Sequence, residues 1–189
     1  VICSEDWTIS RHLEMFGRLA EELKGAADTC VVSFLDRYRK IEKKLDQLGL
    51  RPPDSREREE FLREAARMAA AAGMELETCS EEGDYPSLGV RQGSCISGER
   101  IEKITGRRVT AAKDKTQRPS CGCVKSVDIG MYDTCAHGCV YCYASRSREL
   151  IGKNMGLARP DSPYLSGEPD GRERITERDM PSVLGKPVR

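Results

Sequence analysis

The chain has no net charge to offer a polyanion, since Lys plus Arg number 31 and Asp plus Glu also number 31. Without a field of one sign, neither a nucleic acid nor an acidic membrane surface is implied as a partner. A long apolar run is missing as well. No stretch approaches the roughly 20 apolar residues that cross a bilayer, and the opening VICSEDWTIS has neither the basic nor the apolar region of a secretion leader. A cytoplasmic protein without a membrane partner is expected. No internal repeat is present. The first residue is Val rather than Met, so a piece of a longer chain is expected, and the missing leader carries correspondingly less weight.

Cysteine, by contrast, is abundant. There are nine in 189 residues, an odd number, and Cys121, Cys123, Cys135, Cys139 and Cys142 crowd into one short stretch. A disulfide framework distributes its pairs through a small secreted domain, so the clustering points to metal ligation instead. In a reducing cytosol such thiols stay free and ionise beside a metal.

The pattern of the first part is α/β. A helix is predicted from Thr8 to Lys24 with Thr8 as N-cap and Leu13, Phe16, Leu19, Ala20 and Leu23 on one stripe. Residues 29–34, TCVVSF, read as a strand buried on both faces, which suits a parallel sheet. A charged helix is predicted over 36–48, then a capping box of Asp54 and Glu57 opens a helix over 55–72, and residues 74–79 form a second strand. Further elements are a short helix over 98–105 closed by Gly106, a helix running from Cys142 to Ile151, and an irregular tail. The expected organisation is a partial α/β region at 1–79, a cysteine-rich iron-sulfur-binding region at 80–154, and a tail at 155–189. Two strands cannot complete a sheet, so further strands are expected upstream of Val1.

CAHGCVYC, residues 135–142, spaces its sulfurs as C-x3-C-x2-C, which lets three thiolates converge from one tight loop. Three ligands hold three irons of a four-iron four-sulfur (4Fe-4S) cluster, and the fourth iron is left open to a small molecule. Gly138 gives the loop backbone freedom, and Tyr141 is a cofactor-binding candidate that shields one side from water. Structural zinc is the main rival to iron and sulfide at these residues.

The spacing and the aromatic before the last cysteine resemble the radical S-adenosylmethionine motif. That resemblance implies an open iron that chelates S-adenosylmethionine, and an electron donor such as a flavodoxin or ferredoxin. Its chemistry is one-electron reduction of the sulfonium, releasing methionine and a 5'-deoxyadenosyl radical that takes hydrogen from a substrate. This chain departs from that superfamily in two ways. Fewer than fifty residues follow Cys142, and no glycine-rich cofactor-amino motif is evident after it.

A longer resemblance rests on SFLD at 33–36, KDKTQR at 113–118, CGC at 121–123, SVDIGMYDTC at 126–135, CVYCYA at 139–144 and DSPYLSG at 161–167. These look like an uncharacterised bacterial family, domain of unknown function 1848. Its members are longer at the amino end. The resemblance therefore implies a partial barrel-like α/β domain, its amino-terminal half missing, with a cysteine-rich C-terminal cluster-binding region. It names no substrate.

Cys79, Cys95, Cys121 and Cys123 are candidates for a second site, either another iron-sulfur cluster or tetrahedral zinc. Against that stand Cys79 and Cys95 as small buried hydrophobes, with Cys121 or Cys123 completing the first cluster. Cys3 and Cys30 read as inert core thiols, His12 as helix surface, His137 as a solvent-facing loop residue, and Asp128 and Asp133 as turn caps. Lys113, Lys115 and Arg118 read as a solvated loop, and Tyr132 and Tyr143 as packing residues. Two functions follow: an iron-sulfur enzyme of radical S-adenosylmethionine type, or a non-catalytic zinc or iron-sulfur module on an α/β domain.

Overall fold

A computed structural model describes residues 1–83 and 85–187. Its elements run α1 (Ile9–Glu22), β1 (Thr29–Val32), α2 (Glu42–Gln47), α3 (Ser55–Ala71), β2 (Glu75–Cys79), a 3-10 turn (Pro86–Leu88), β3 (Arg91–Gly93), α4 (Gly98–Thr105), β4 (Arg107–Val109), α5 (Arg148–Gly156) and β5 (Leu184–Pro187). They fall into two compact units. One comprises Val1–Asp36, Gly49–Ser126 and Ser182–Arg189; the other comprises Arg37–Leu48 and Val127–Pro181.

The first unit is an α/β layer. Its sheet has the order β1-β2-β3 with both pairings parallel, Thr29 opposite Glu75 and Cys79 opposite Gly93. The Thr8 hydroxyl accepts the Arg11 amide and starts α1, and α3 opens on the complete Asp54/Glu57 capping box. The apolar stripe of α3 buries Phe61, Leu62, Ala65 and Ala69 together with Ile9 and Ala20 of α1 and Leu76 of β2. Phe61 is the centre of an aromatic trio, its ring edge-on to Phe16 at 6.1 Å and to Phe34 at 6.3 Å. A second, two-stranded sheet pairs β4 with β5 antiparallel, Val109 opposite Leu184. Among the described residues no helix is long and apolar enough to cross a membrane.

Several expectations need correction. β1 is not buried on both faces: it is an edge strand with Val31 45% exposed, because only β2 pairs with it. Residues 91–93 supply a third strand, too short to show a period, and among the described residues the sheets are open and no barrel closes. The charged helix shrinks to α2, whose cap residue Ile41 has no side-chain acceptor, while Arg37 spends its guanidinium on Glu42 and Asp46 from outside the helix. No helix runs from Cys142 to Ile151. α5 begins at Arg148 behind the Ser147 cap, and the Arg146 amide before it is bonded to the Asp133 carboxylate. The tail is not wholly irregular, since β5 lies in it. His12 is half-buried rather than on the surface, its Nε2 2.6 Å from the Ile2 carbonyl oxygen and its ring beside Trp7.

The amino-terminal segment is tied to the start of α3 through Arg51. Its backbone exchanges two hydrogen bonds with Cys3, both 2.9 Å, while its guanidinium donates to both Glu57 oxygens at 2.6 and 2.7 Å. That fork, with the Asp54 amide, holds the Glu57 carboxyl down at about 2 against an ordinary 4.5. A depressed carboxyl contributes stability that is present above its unfolded value and lost as pH falls toward the folded one. Glu57→Gln should therefore cost about 1 kcal/mol at neutral pH and flatten the acid limb of the stability curve between about pH 4.5 and 2, read by urea unfolding at stepped pH. Phe61→Ala should cost about 3–5 kcal/mol in the same assay.

Candidate functional site

Four cysteines meet in the first unit. Cys79 ends β2, and Cys95 follows β3, two residues past Gly93, which is Cys79's partner in the sheet. Parallel pairing thus carries both residues to the same end of neighbouring strands, and their sulfurs stand 3.1 Å apart. Cys121 and Cys123 arrive from a loop that folds back on itself: the Asp114 amide donates to the Cys123 carbonyl at 2.9 Å and Lys125 donates to Ala112 at 2.8 Å.

Hydrogen bonds from flanking residues pull that loop against the strand ends. Ser80, directly after Cys79, meets Ser120, directly before Cys121, hydroxyl to hydroxyl at 3.1 Å. Ile96, directly after Cys95, donates its amide to the Cys123 sulfur at 3.3 Å and accepts the Val124 amide at 3.0 Å. Gly122 lets the turn lie this close, for a Cβ there would stand 3.3 Å from the Ser94 Cβ. Cys121 and Cys123 are buried, Cys79 is half-buried and Cys95 exposed. Burial first, then the neighbouring sulfurs, push the Cys79 thiol up to about 12. Neither Cys79 nor Cys95 is a fully buried hydrophobe.

The second unit holds the other three candidates on one loop. Its base is closed by Asp133, which is 1% exposed. The Asp133 amide donates to the Ala144 carbonyl at 3.0 Å, and its carboxylate accepts the Arg146 amide and, at 2.6 Å, the Arg146 Nε. Asn154 of α5 donates to the Asp133 carbonyl at 3.2 Å. Residues 134–143 are therefore an Ω-shaped excursion with joined ends. Gly138 sits at φ +65°, a left-handed value that a residue with a Cβ adopts only at a cost. Cys142 is half-buried, 3.3 Å from the Ser145 hydroxyl, and that hydroxyl, the Ala144 amide and Lys40 draw its thiol below the ordinary range. Cys135 and Cys139 are exposed. Tyr141, the cofactor-binding candidate, is half-buried with its ring 5.9 Å from Tyr38, which also packs against Tyr143 at 5.8 Å.

The donor set is right in kind for a thiophilic metal at both places. Among the described residues, however, no three His, Cys, Asp or Glu side chains already surround a single point as ligands would. The remaining candidates are otherwise engaged. Cys3 is a buried core thiol whose pKa burial raises, Asp128 caps the turn at Gly130, and Arg118 pairs with Asp36 at 2.9 Å. Sequence reasoning missed Lys40, whose ammonium reaches the Tyr143 carbonyl at 2.8 Å from 103 residues away, and it underrated Asp133. One backbone feature ties the two places together. Among the described residues the only non-glycine residues with positive φ are Ser80 and Asp133, each beside a cysteine group. Such conformations cost free energy and gather at functional sites.

Asp133→Ala should open the base of the excursion. Cleavage within residues 134–143 by a non-specific protease should accelerate at least tenfold, while Cys95 alkylation, read on the same samples, stays unchanged.

No curated protein and no solved structure matches the chain. The family model of the domain of unknown function DUF1848 matches residues 1–144, a span that takes in both cysteine groups and ends just past Cys142. The chain belongs to that family.

Proposed function

We propose that this chain binds a 4Fe-4S cluster through Cys135, Cys139 and Cys142, and that it works as an iron-sulfur enzyme of the radical S-adenosylmethionine type. The observation that carries this reading is the closed excursion: three thiols at C-x3-C-x2-C spacing on ten residues whose ends Asp133 clamps. A ligand loop of fixed girth loses less conformational entropy when it closes on its metal than an open one does. The Cys142 thiol, favoured as thiolate by its neighbours, is the natural first ligand. Tyr141 packs against Tyr38 beside it and would shield one side of a cluster, and Lys40 braces the loop at the Tyr143 carbonyl. When bound, such a cluster supplies one electron to a sulfonium cofactor at its open iron. A flavodoxin or ferredoxin donor and a reducing, cytoplasmic setting belong to the same reading.

The second reading, a non-catalytic zinc or iron-sulfur module, draws on one feature. α5 starts six residues after Cys142 rather than at it, so no helix runs on from the third ligand.

Anaerobic reconstitution of the longest natural chain, followed by electron paramagnetic resonance of the reduced protein, separates the two. The enzyme reading expects about four irons and four sulfides lost on Cys139→Ala, a spectrum that changes when S-adenosylmethionine is added, and formation of 5'-deoxyadenosine. Zinc in place of iron, or a spectrum indifferent to S-adenosylmethionine, would establish the module.

A further inference from the structure

We propose that Cys79, Cys95, Cys121 and Cys123 together hold one structural zinc ion in a closed, all-sulfur site. The inference does not rest on the cluster proposed above, which uses other ligands.

The first argument is how the chain converges. The four sulfurs come from three separate stretches, and each stretch is tied to the next by a hydrogen bond one residue away from a cysteine. Ser80 binds Ser120, and Ile96 binds both Cys123 and Val124. Gln92 of β3 adds a 2.8 Å bond to the Ser120 carbonyl. Most of these bonds use nitrogen and oxygen groups of the flanking residues; the one made to a sulfur, from the Ile96 amide to Cys123, leaves that sulfur further lone pairs for a metal. Three of the loop's ties to the strand ends thus lie at or beside a cysteine.

The second argument concerns nuclearity. The Cys79 and Cys95 sulfurs stand 3.1 Å apart. In a four-iron cluster each thiolate takes a different iron, which keeps the protein sulfurs well apart. A single tetrahedral ion with bonds of about 2.3 Å sets them about 3.8 Å from one another, so a pair already in contact needs only a small shift to share one ion. The Cys121–Gly122–Cys123 turn, tied to the residue after Cys95 through the Ile96 amide, would supply the other two thiolates. Four thiolates leave no coordination position for water, the mark of a structural rather than a catalytic zinc, and sulfur-only donors select a soft ion. The Ile96 N–H on the Cys123 sulfur is the kind of outer bond that orients a ligating thiolate.

The third argument is local folding. Within residues 110–126 the one isolated bridge, Lys113 to Val124, pairs the segment with itself, and the buried side chains are Asp114, Cys121 and Cys123. Such a segment needs a cross-link to hold one conformation, and a bound ion supplies it.

The test uses the full chain purified without oxygen, and a Cys135→Ser/Cys139→Ser/Cys142→Ser variant that removes the other group. We expect about one zinc per chain in the triple variant, with little iron or sulfide, and strong thiolate-to-metal absorption when cobalt replaces the zinc. Adding Cys121→Ser and Cys123→Ser should reduce bound zinc at least tenfold. That variant could also misfold, so alkylation of the unsubstituted chain gives an independent readout. Cys95 is exposed and should react within minutes if free; we expect it to be protected together with Cys79, Cys121 and Cys123, and all four to be released together by a zinc chelator. Rapid alkylation of Cys95 without chelator, a Cys79–Cys95 disulfide in oxygen-free material, or iron with sulfide in the triple variant would each overturn the zinc site, and none of them bears on Cys135, Cys139 and Cys142.

Discussion

The parallel pairing of β2 with β3 sets the position of nearly everything that matters in the first unit. Because Cys79 lies opposite Gly93, the chain leaving each strand does so at the same end of the sheet, and Cys95 comes down beside Cys79 within two residues. Parallel strands place their carboxyl ends together, and in α/β folds functional groups gather there. What holds the pairing is the apolar stripe of α3, whose Phe61, Leu62, Ala65 and Ala69 lie in one core with Leu76 of β2. Loss of that burial would remove the platform on which the later loop is assembled.

The two cysteine groups are built on the same plan with different parts. In each, a non-glycine residue adopts a left-handed conformation within two residues of a cysteine, and polar bonds from neighbouring residues close the loop while the sulfurs make few bonds of their own. In the first unit the closure is a pair of serines and a backbone amide. In the second it is one buried carboxylate, Asp133, which gathers the backbone of Ala144 and Arg146 and a side chain from α5. A carboxylate buried without such partners would be expensive, so its cluster of donors is what permits it to be there.

The exposures differ in a way that fits different tasks. Cys121 and Cys123 are buried, as the proposed zinc site would require, whereas Cys135 and Cys139 lie open on an excursion that also carries Tyr141, packed against Tyr38. On the two proposed readings, a closed all-sulfur site would fix structure while an open three-sulfur loop would leave room for a ligand.

Much was legible in the residues alone because it depends on short-range physics. The Thr8 cap, the Asp54/Glu57 capping box, the stripe of α3 and the span of α4 from Gly98 to Thr105 follow from hydrogen-bonding partners and periods within a few residues. So does the three-cysteine spacing, and the family that carries it. Strands of three residues such as β3 and β4 show no period, and the β5 partner of β4 lies some 75 residues along the chain. Residues 142–146 are not helical, and the Arg146 amide is bonded to the Asp133 carboxylate instead of entering a helix. Only the tertiary structure could decide that Cys79 and Cys95 touch, that Ser80 meets Ser120, and that Lys40 braces the loop of Cys142. Each of these contacts joins distant segments, and their proximity is set by sheet register and core packing rather than by any local preference.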